Sequence, residues 1–159
     1  MPAKLFSIPL LIALILTGCS KSGPAAVAVA PSGPRTIEIT AGDNMKYSLT
    51  RIEAASGEAL HITLTNTGAL PKEVMGHDWI LLRAGVDAGA YSRAAIAAKD
   101  TSYQPPALAF EVLASISLLG PGQTGDVTFN APVQPGEYPF LCSFPAHYQS
   151  GMQGVLVVK

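Results

Sequence analysis

From Arg35 onward, apolar and polar residues alternate in short runs divided by glycine and proline. That period of two is the pattern of half-buried β-strands. Ile37 and Ile39 alternate with polar neighbours in the first run. In a second run Leu60, Ile62 and Leu64 face one way, and His61, Thr63 and Thr65 face the other. Further strand-like runs are His77–Leu82, Val112–Leu119, Asp126–Asn130, Glu137–Cys142 and Gly154–Val158, with Gly120-Pro121-Gly122 and Pro135-Gly136 as punctuation. One stretch breaks the pattern: Asp87 to Lys99 is rich in alanine and reads as a helix inserted between strands. Seven to eight short strands with one inserted short helix predict an all-β fold, a Greek-key β-sandwich.

The first 34 residues follow different rules. Lys4 supplies a positive start, and Leu5 to Leu16 form an apolar run of signal-peptide length. A membrane span needs about 20 such residues, so this run is too short for one. It ends in Leu16-Thr17-Gly18-Cys19, which resembles the lipobox of bacterial lipoproteins. That resemblance implies a signal peptide over 1–18, cleavage before Cys19 and lipidation of its sulfur. The membrane is then held through acyl chains rather than a transmembrane helix. The simpler reading is a secretory signal followed by a chance cysteine. Ser20 after the cysteine favours the outer membrane, by analogy with lipoprotein sorting. Residues 19–34 hold Gly23, Pro24, Pro31, Gly33 and Pro34 among small residues and read as a flexible tether with a reach of about 50 Å. The domain proper is 35–159.

Composition narrows the function. Charged residues are 13% of the 159-residue chain and the formal net charge is −1. No basic footprint for nucleic acid is present. There are only two cysteines, Cys19 and Cys142, so a disulfide framework is not the organising device and each needs its own explanation.

Cys142 has one in its surroundings. The segment Cys142-Ser143-Phe144-Pro145-Ala146-His147-Tyr148-Gln149-Ser150-Gly151-Met152 places a thiol, an imidazole and a thioether in one loop between the last two strands. Thiolate and thioether are soft donors suited to Cu(I), and imidazole serves both copper oxidation states. A trigonal His₂Cys set with a weak axial Met is the pattern of blue-copper electron transfer. A second histidine is then required from another strand, and His77 in Val74-Met75-Gly76-His77-Asp78-Trp79 is the candidate. Met75 is an alternative axial donor. His61, on the polar face of its strand, reads as a solvated histidine. Taken singly, Cys142 reads as a core thiol, His147 as a loop residue and Met152 as core filling. Their order in one proline-stiffened loop, beside a separate Gly-His, argues against those readings jointly.

At these residues the chain resembles the cupredoxins, the azurin-like ones most closely. The resemblance runs from about Thr36 to Lys159 and rests on Leu70-Pro71-Lys72, Met75-Gly76-His77, Trp79, Gly136-Glu137 and Cys142 through His147. It implies a cupredoxin-like sandwich with a helical flap at Asp87–Lys99, and one type 1 copper ion. His77, Cys142 and His147 would be equatorial, Met152 axial, and the Gly76 carbonyl a distant second axial contact. Phe144 would donate its backbone N–H to the Cys142 sulfur. A patch of Met45, Leu70, Val74, Met75, Phe144, Pro145 and Ala146 would surround an exposed His147.

Three features depart from the azurin pattern. Four residues separate His147 from Met152, one more than in azurin and similar to auracyanin. The early-strand disulfide is absent. Asp78 stands where Asn is usual, which puts the inter-loop hydrogen bonds in question, with Ser143 and backbone N–H groups as the donors that could satisfy a carboxylate there.

The expected function is one-electron shuttling between periplasmic or surface redox proteins, such as c-type cytochromes or copper reductases, with no small-molecule substrate and no enzymatic step. Copper storage or delivery is the alternative. Such sites tend to be open and rich in exposed Met and His, and this chain has three histidines and four methionines. A dinuclear copper enzyme would need more donors than these.

Overall fold

The computed structural model describes residues 33–159. The expected signal peptide, the lipidated Cys19 and the tether through residue 32 lie outside the described residues. The rest folds as two packed sheets. In the first, β1 (Arg35–Gly42) runs parallel to β4 (Ala59–Asn66), which pairs antiparallel with β7 (Thr124–Asn130). The two-residue β2 (Lys46–Tyr47) closes the other edge on β1. The second sheet has the order β3 (Arg51–Ala54), β9 (Gln153–Val158), β8 (Gly136–Leu141), β5 (His77–Leu82), β6 (Val112–Leu119).

The alternation predicted for β1 and β4 sets their faces. Ile37, Ile39, Leu60, Ile62 and Leu64 are buried between the sheets, whereas His61, Thr63 and Thr65 are partly exposed. A one-residue slip of β4 would turn Leu60, Ile62 and Leu64 outward at about 1.5–3 kcal/mol each, so the hydrophobic pattern itself holds the register. β5 is different, because all six of its residues are buried. Trp79 and Leu81 join the main core, and Ile80 and Leu82 pack with Leu141, Ala88 and Tyr91 in a second cluster. Burial on both faces explains why β5 reads as a continuous apolar run after its first two residues.

Among the described residues there are nine strands rather than seven to eight. The additions, β2 and β3, are two and four residues long, too short for periodicity to register. The inserted helix is present but shorter than Asp87–Lys99: α2 spans Ala88–Ala95 and is capped by Asp87, whose Oδ1 accepts from the Ala90 N–H at 3.0 Å. Lys99–Thr101 and Pro106–Glu111 are 3₁₀ turns, and a one-turn helix, α1, covers Lys72–Met75 after Pro71. Among the described residues no helix is long and apolar enough to cross a membrane.

Candidate metal centre

Two neighbouring strands deliver the principal residues. His77 opens β5 and Cys142 directly follows β8, its antiparallel partner. The loop after Cys142 is closed by its own backbone. His147 N–H donates to the Phe144 carbonyl, Ser150 N–H to Ala146 and Gly151 N–H to Tyr148. Met152 N–H donates to the His147 carbonyl at 2.9 Å, and Cys142 N–H to the Met152 carbonyl at 3.1 Å. The backbones of these three residues are thus bonded in sequence before any ion is considered. Ala146 (φ 70°) and Gly151 (φ 89°) take the left-handed conformations that let so short a loop reverse. Gly76, before His77, answers another constraint. A Cβ there would lie 2.7 Å from the Lys72 carbonyl oxygen and 2.9 Å from Leu118.

The result is a compact donor set. One ligand atom each from His77, Cys142 and His147 lies within 4.8 Å of the others, and Cys142 Sγ is 3.3 Å from His147 Nδ1. Met152 is fully buried in the same core cluster as Cys142, and its backbone is bonded to those of His147 and Cys142. Neither ring nitrogen of buried His77 has a hydrogen-bond partner among the described residues. Burial lowers the His77 pKa, and Asp43 and the Gly42 carbonyl only partly oppose that lowering. An unpartnered buried imidazole costs free energy, and a cation bound to its lone pair removes that cost.

Burial dominates the electrostatics. It lowers the pKa of His77, and it takes His147 down to about 4 with His77 as a second, repulsive cause. Both rings are therefore neutral near pH 7 with lone pairs free for a metal. Burial pushes the Cys142 thiol well up, and the neighbouring Asp78 carboxylate adds to this; the backbone N–H groups of Asp78 and Phe144 pull the other way. A bound cation reverses that balance, because the coordinating sulfur must be a thiolate. One soft sulfur and two imidazoles in a dry site fit copper well and fit a hard, water-retaining cation poorly.

Asp78 is fully buried, and burial raises its pKa to about 6 against the opposing pull of Ser143. Its Oδ1 accepts the Ser143 N–H at 2.7 Å, and the Ser143 hydroxyl donates to Oδ2. The inter-loop bonds that an Asp put in question are thus made, with the carboxylate purely an acceptor. They join the residue after His77 to the residue after Cys142.

His61 stays on the outer face of β4, bonded to Thr128 at 2.8 Å, and is not part of the donor cluster. Met75 is half-buried at the end of α1. The ring of His147 is only 1% exposed, because Phe144 packs on it at 4.7 Å and His77 at 5.0 Å. Phe144 is itself buried under Tyr103 at 5.0 Å, edge-on. Of the patch that the resemblance implies, Leu70, Val74 and Ala146 are exposed, Met45, Met75 and Pro145 are half-buried, and Phe144 is buried. Asp43, Lys46 and Tyr47, all in or beside the first hairpin, support the site from outside the residues that the sequence marks. Nothing local distinguishes them, since their partners are distant in the chain.

Comparison with known proteins agrees with this geometry. The family model described as copper-binding proteins, plastocyanin/azurin family, matches residues 35–159. Azurin of Pseudomonas chlororaphis is 34% identical over 126 residues, 77% of this chain and 97% of that protein. Auracyanin-B of Chloroflexus aurantiacus is 32% identical over 126 residues, 78% of this chain, which spans only 52% of that longer relative. Among solved structures, reduced auracyanin from Roseiflexus castenholzii superposes with a TM-score of 0.70 at 33% identity, covering 80% of this chain and 98% of that one. Auracyanin A from Chloroflexus aurantiacus, described as a blue copper protein, gives a TM-score of 0.70 at 32% identity over 80% of this chain and all of its own.

Proposed function

The chain belongs to the plastocyanin/azurin family of copper-binding proteins, and from that premise we propose that it is a type 1 copper protein that passes single electrons between redox partners. His77, Cys142 and His147 would hold the copper ion, with the Met152 thioether as a further, weaker donor, and the ion would supply the one-electron chemistry. The observation that carries the reading is the buried His77–Cys142–His147 cluster, closed by its own backbone hydrogen bonds. A bound copper ion would supply the Cu(I)/Cu(II) couple. The residues around it keep water out and hold the donors in a rigid frame, which keeps reorganisation small as charge changes. Complete burial of the donors also supports cycling over storage or delivery, which is better served by exposed sites.

Electrons would be exchanged across the exposed apolar residues Leu70, Val74 and Ala146, the last of them next to His147 in the chain. The partners are redox proteins such as c-type cytochromes or copper reductases on the periplasmic or outer face of a bacterial membrane. The domain is tethered there through lipid on Cys19, with the outer membrane favoured. Optical spectroscopy of the copper-loaded protein tests the central claim. An intense visible thiolate-to-copper band is expected, and it disappears in Cys142→Ala; a colourless Cu(II) complex of the intact protein refutes the assignment. Mass spectrometry of the protein from its native host tests the anchor, with a diacylated Cys19 as the mature N-terminus the expected result.

A further inference from the structure

The hairpin of β1 and β2 contacts three segments near the metal centre: the stretch before α1, β5 beside His77, and the loop from His147 to Met152. The Asp43 carboxylate accepts the Ala69 N–H at 2.9 Å, just before α1. The Tyr47 hydroxyl donates to the Asp78 carbonyl, beside His77. The Lys46 ammonium donates to the Ser150 carbonyl, inside the loop from His147 to Met152 and 104 positions away in sequence. A two-residue strand has little stability of its own. β2 keeps its place by pairing Lys46 with Gly42 and Tyr47 with Ala41, so Lys46 projects from an anchored backbone.

The loop that Lys46 meets needs an outside partner. The Ser150, Gly151 and Met152 N–H groups all turn inward to the carbonyls of Ala146, Tyr148 and His147. The Ser150 carbonyl is left facing the hairpin, where the ammonium takes it. Gly151 makes room: a Cβ there would stand 2.6 Å from Lys46 Nζ, and its φ of 89° is one that side chains disfavour. Four residues between His147 and Met152 make this a longer segment to order than three would be, and longer segments cost more to close. A charge-assisted bond from outside the loop offsets that cost.

We propose that Lys46 is a positioning residue of the copper centre: its ammonium latches the Ser150–Gly151 segment and so holds Met152 in place against the metal. The role in metal retention rests on the ligand assignment above, whereas the latch itself concerns the metal-free fold as well. Lys46→Met removes the charge and every donor, and Lys46→Arg retains both. Lys46 is exposed, so neither change disturbs the core.

Amide hydrogen exchange on the metal-free protein and the rate of copper release to a chelator provide the two readouts. In Lys46→Met the Gly151 and Met152 amides should exchange about tenfold faster and copper should leave about tenfold faster, the loss expected for one charged hydrogen bond. Exchange in β4 and β7 should stay at the wild-type rate, and Lys46→Arg should restore both readouts to within about twofold. Unchanged exchange at Gly151 and Met152 would overturn the latch. So would acceleration spread evenly over both sheets, which marks a general loss of stability, or failure of Lys46→Arg to restore either readout. Failure of the copper assignment would appear separately, as a colourless wild-type copper complex, with the exchange result on metal-free protein still deciding the latch.

Discussion

Removing the Asp78 carboxylate tests whether the bridge between the two ligand-bearing strands behaves as one unit. Asp78 and Ser143 are both 0% exposed, and the carboxylate accepts both the N–H and the hydroxyl of Ser143. Asp78→Ala leaves two buried donors without partners at about 1–3 kcal/mol each, so the metal-free protein should lose about 2–6 kcal/mol. Ser143→Ala frees one carboxylate oxygen and keeps the backbone bond, which predicts a smaller loss of about 1–3 kcal/mol. Asp78→Asn keeps a carbonyl acceptor for the Ser143 N–H, and its amide can donate to the Ser143 hydroxyl oxygen. It should therefore cost no more than about 1 kcal/mol. Urea unfolding of the metal-free single and double variants measures these losses. The Asp78→Ala/Ser143→Ala pair should fall short of additivity by about 1 kcal/mol or more, because the second change removes a partner already lost. Additive losses, within about 0.5 kcal/mol, would show that the two side chains act separately and that the bridge does not couple the strands.

Three further outcomes follow from named contacts. Met152→Leu exchanges side chains of similar volume in a fully buried position, so stability should change by less than about 1.5 kcal/mol. The colour should persist while the reduction potential, read by voltammetry, rises, because losing a weak donor disfavours the more highly charged ion. Ala146→Glu places a charge on the exposed apolar surface and should slow electron exchange with an acceptor protein while leaving the copper band intact; an unchanged rate would move the docking face elsewhere. Gly154→Ala would set a Cβ 2.4 Å from the Thr50 carbonyl oxygen and 2.3 Å from the Phe140 ring. Because the carbonyl belongs to backbone, overpacking should cost about 1–3 kcal/mol in urea unfolding.

The loop that carries Cys142, His147 and Met152 was legible in the sequence because it is local. Cys142, His147 and Met152 lie within eleven consecutive positions, and the softness of their donors is a property of the side chains alone. The faces of β1 and β4 were legible for a similar reason, since a two-residue period repeats over a strand of eight. His77 was half legible: its Gly-His setting marked it, but only the pairing of β5 with β8 brings it beside Cys142. What the tertiary structure alone decided depends on contacts between distant segments. It made Asp78 an acceptor for Ser143, 65 positions away, instead of a stray charge beside the ligands. It covered His147 with Phe144, and Phe144 with Tyr103, so that the imidazole expected at the surface is 1% exposed. It also gave β2 its purpose, for a two-residue strand carries no periodicity, and the reach of Lys46 to Ser150 exists only once the sandwich has closed.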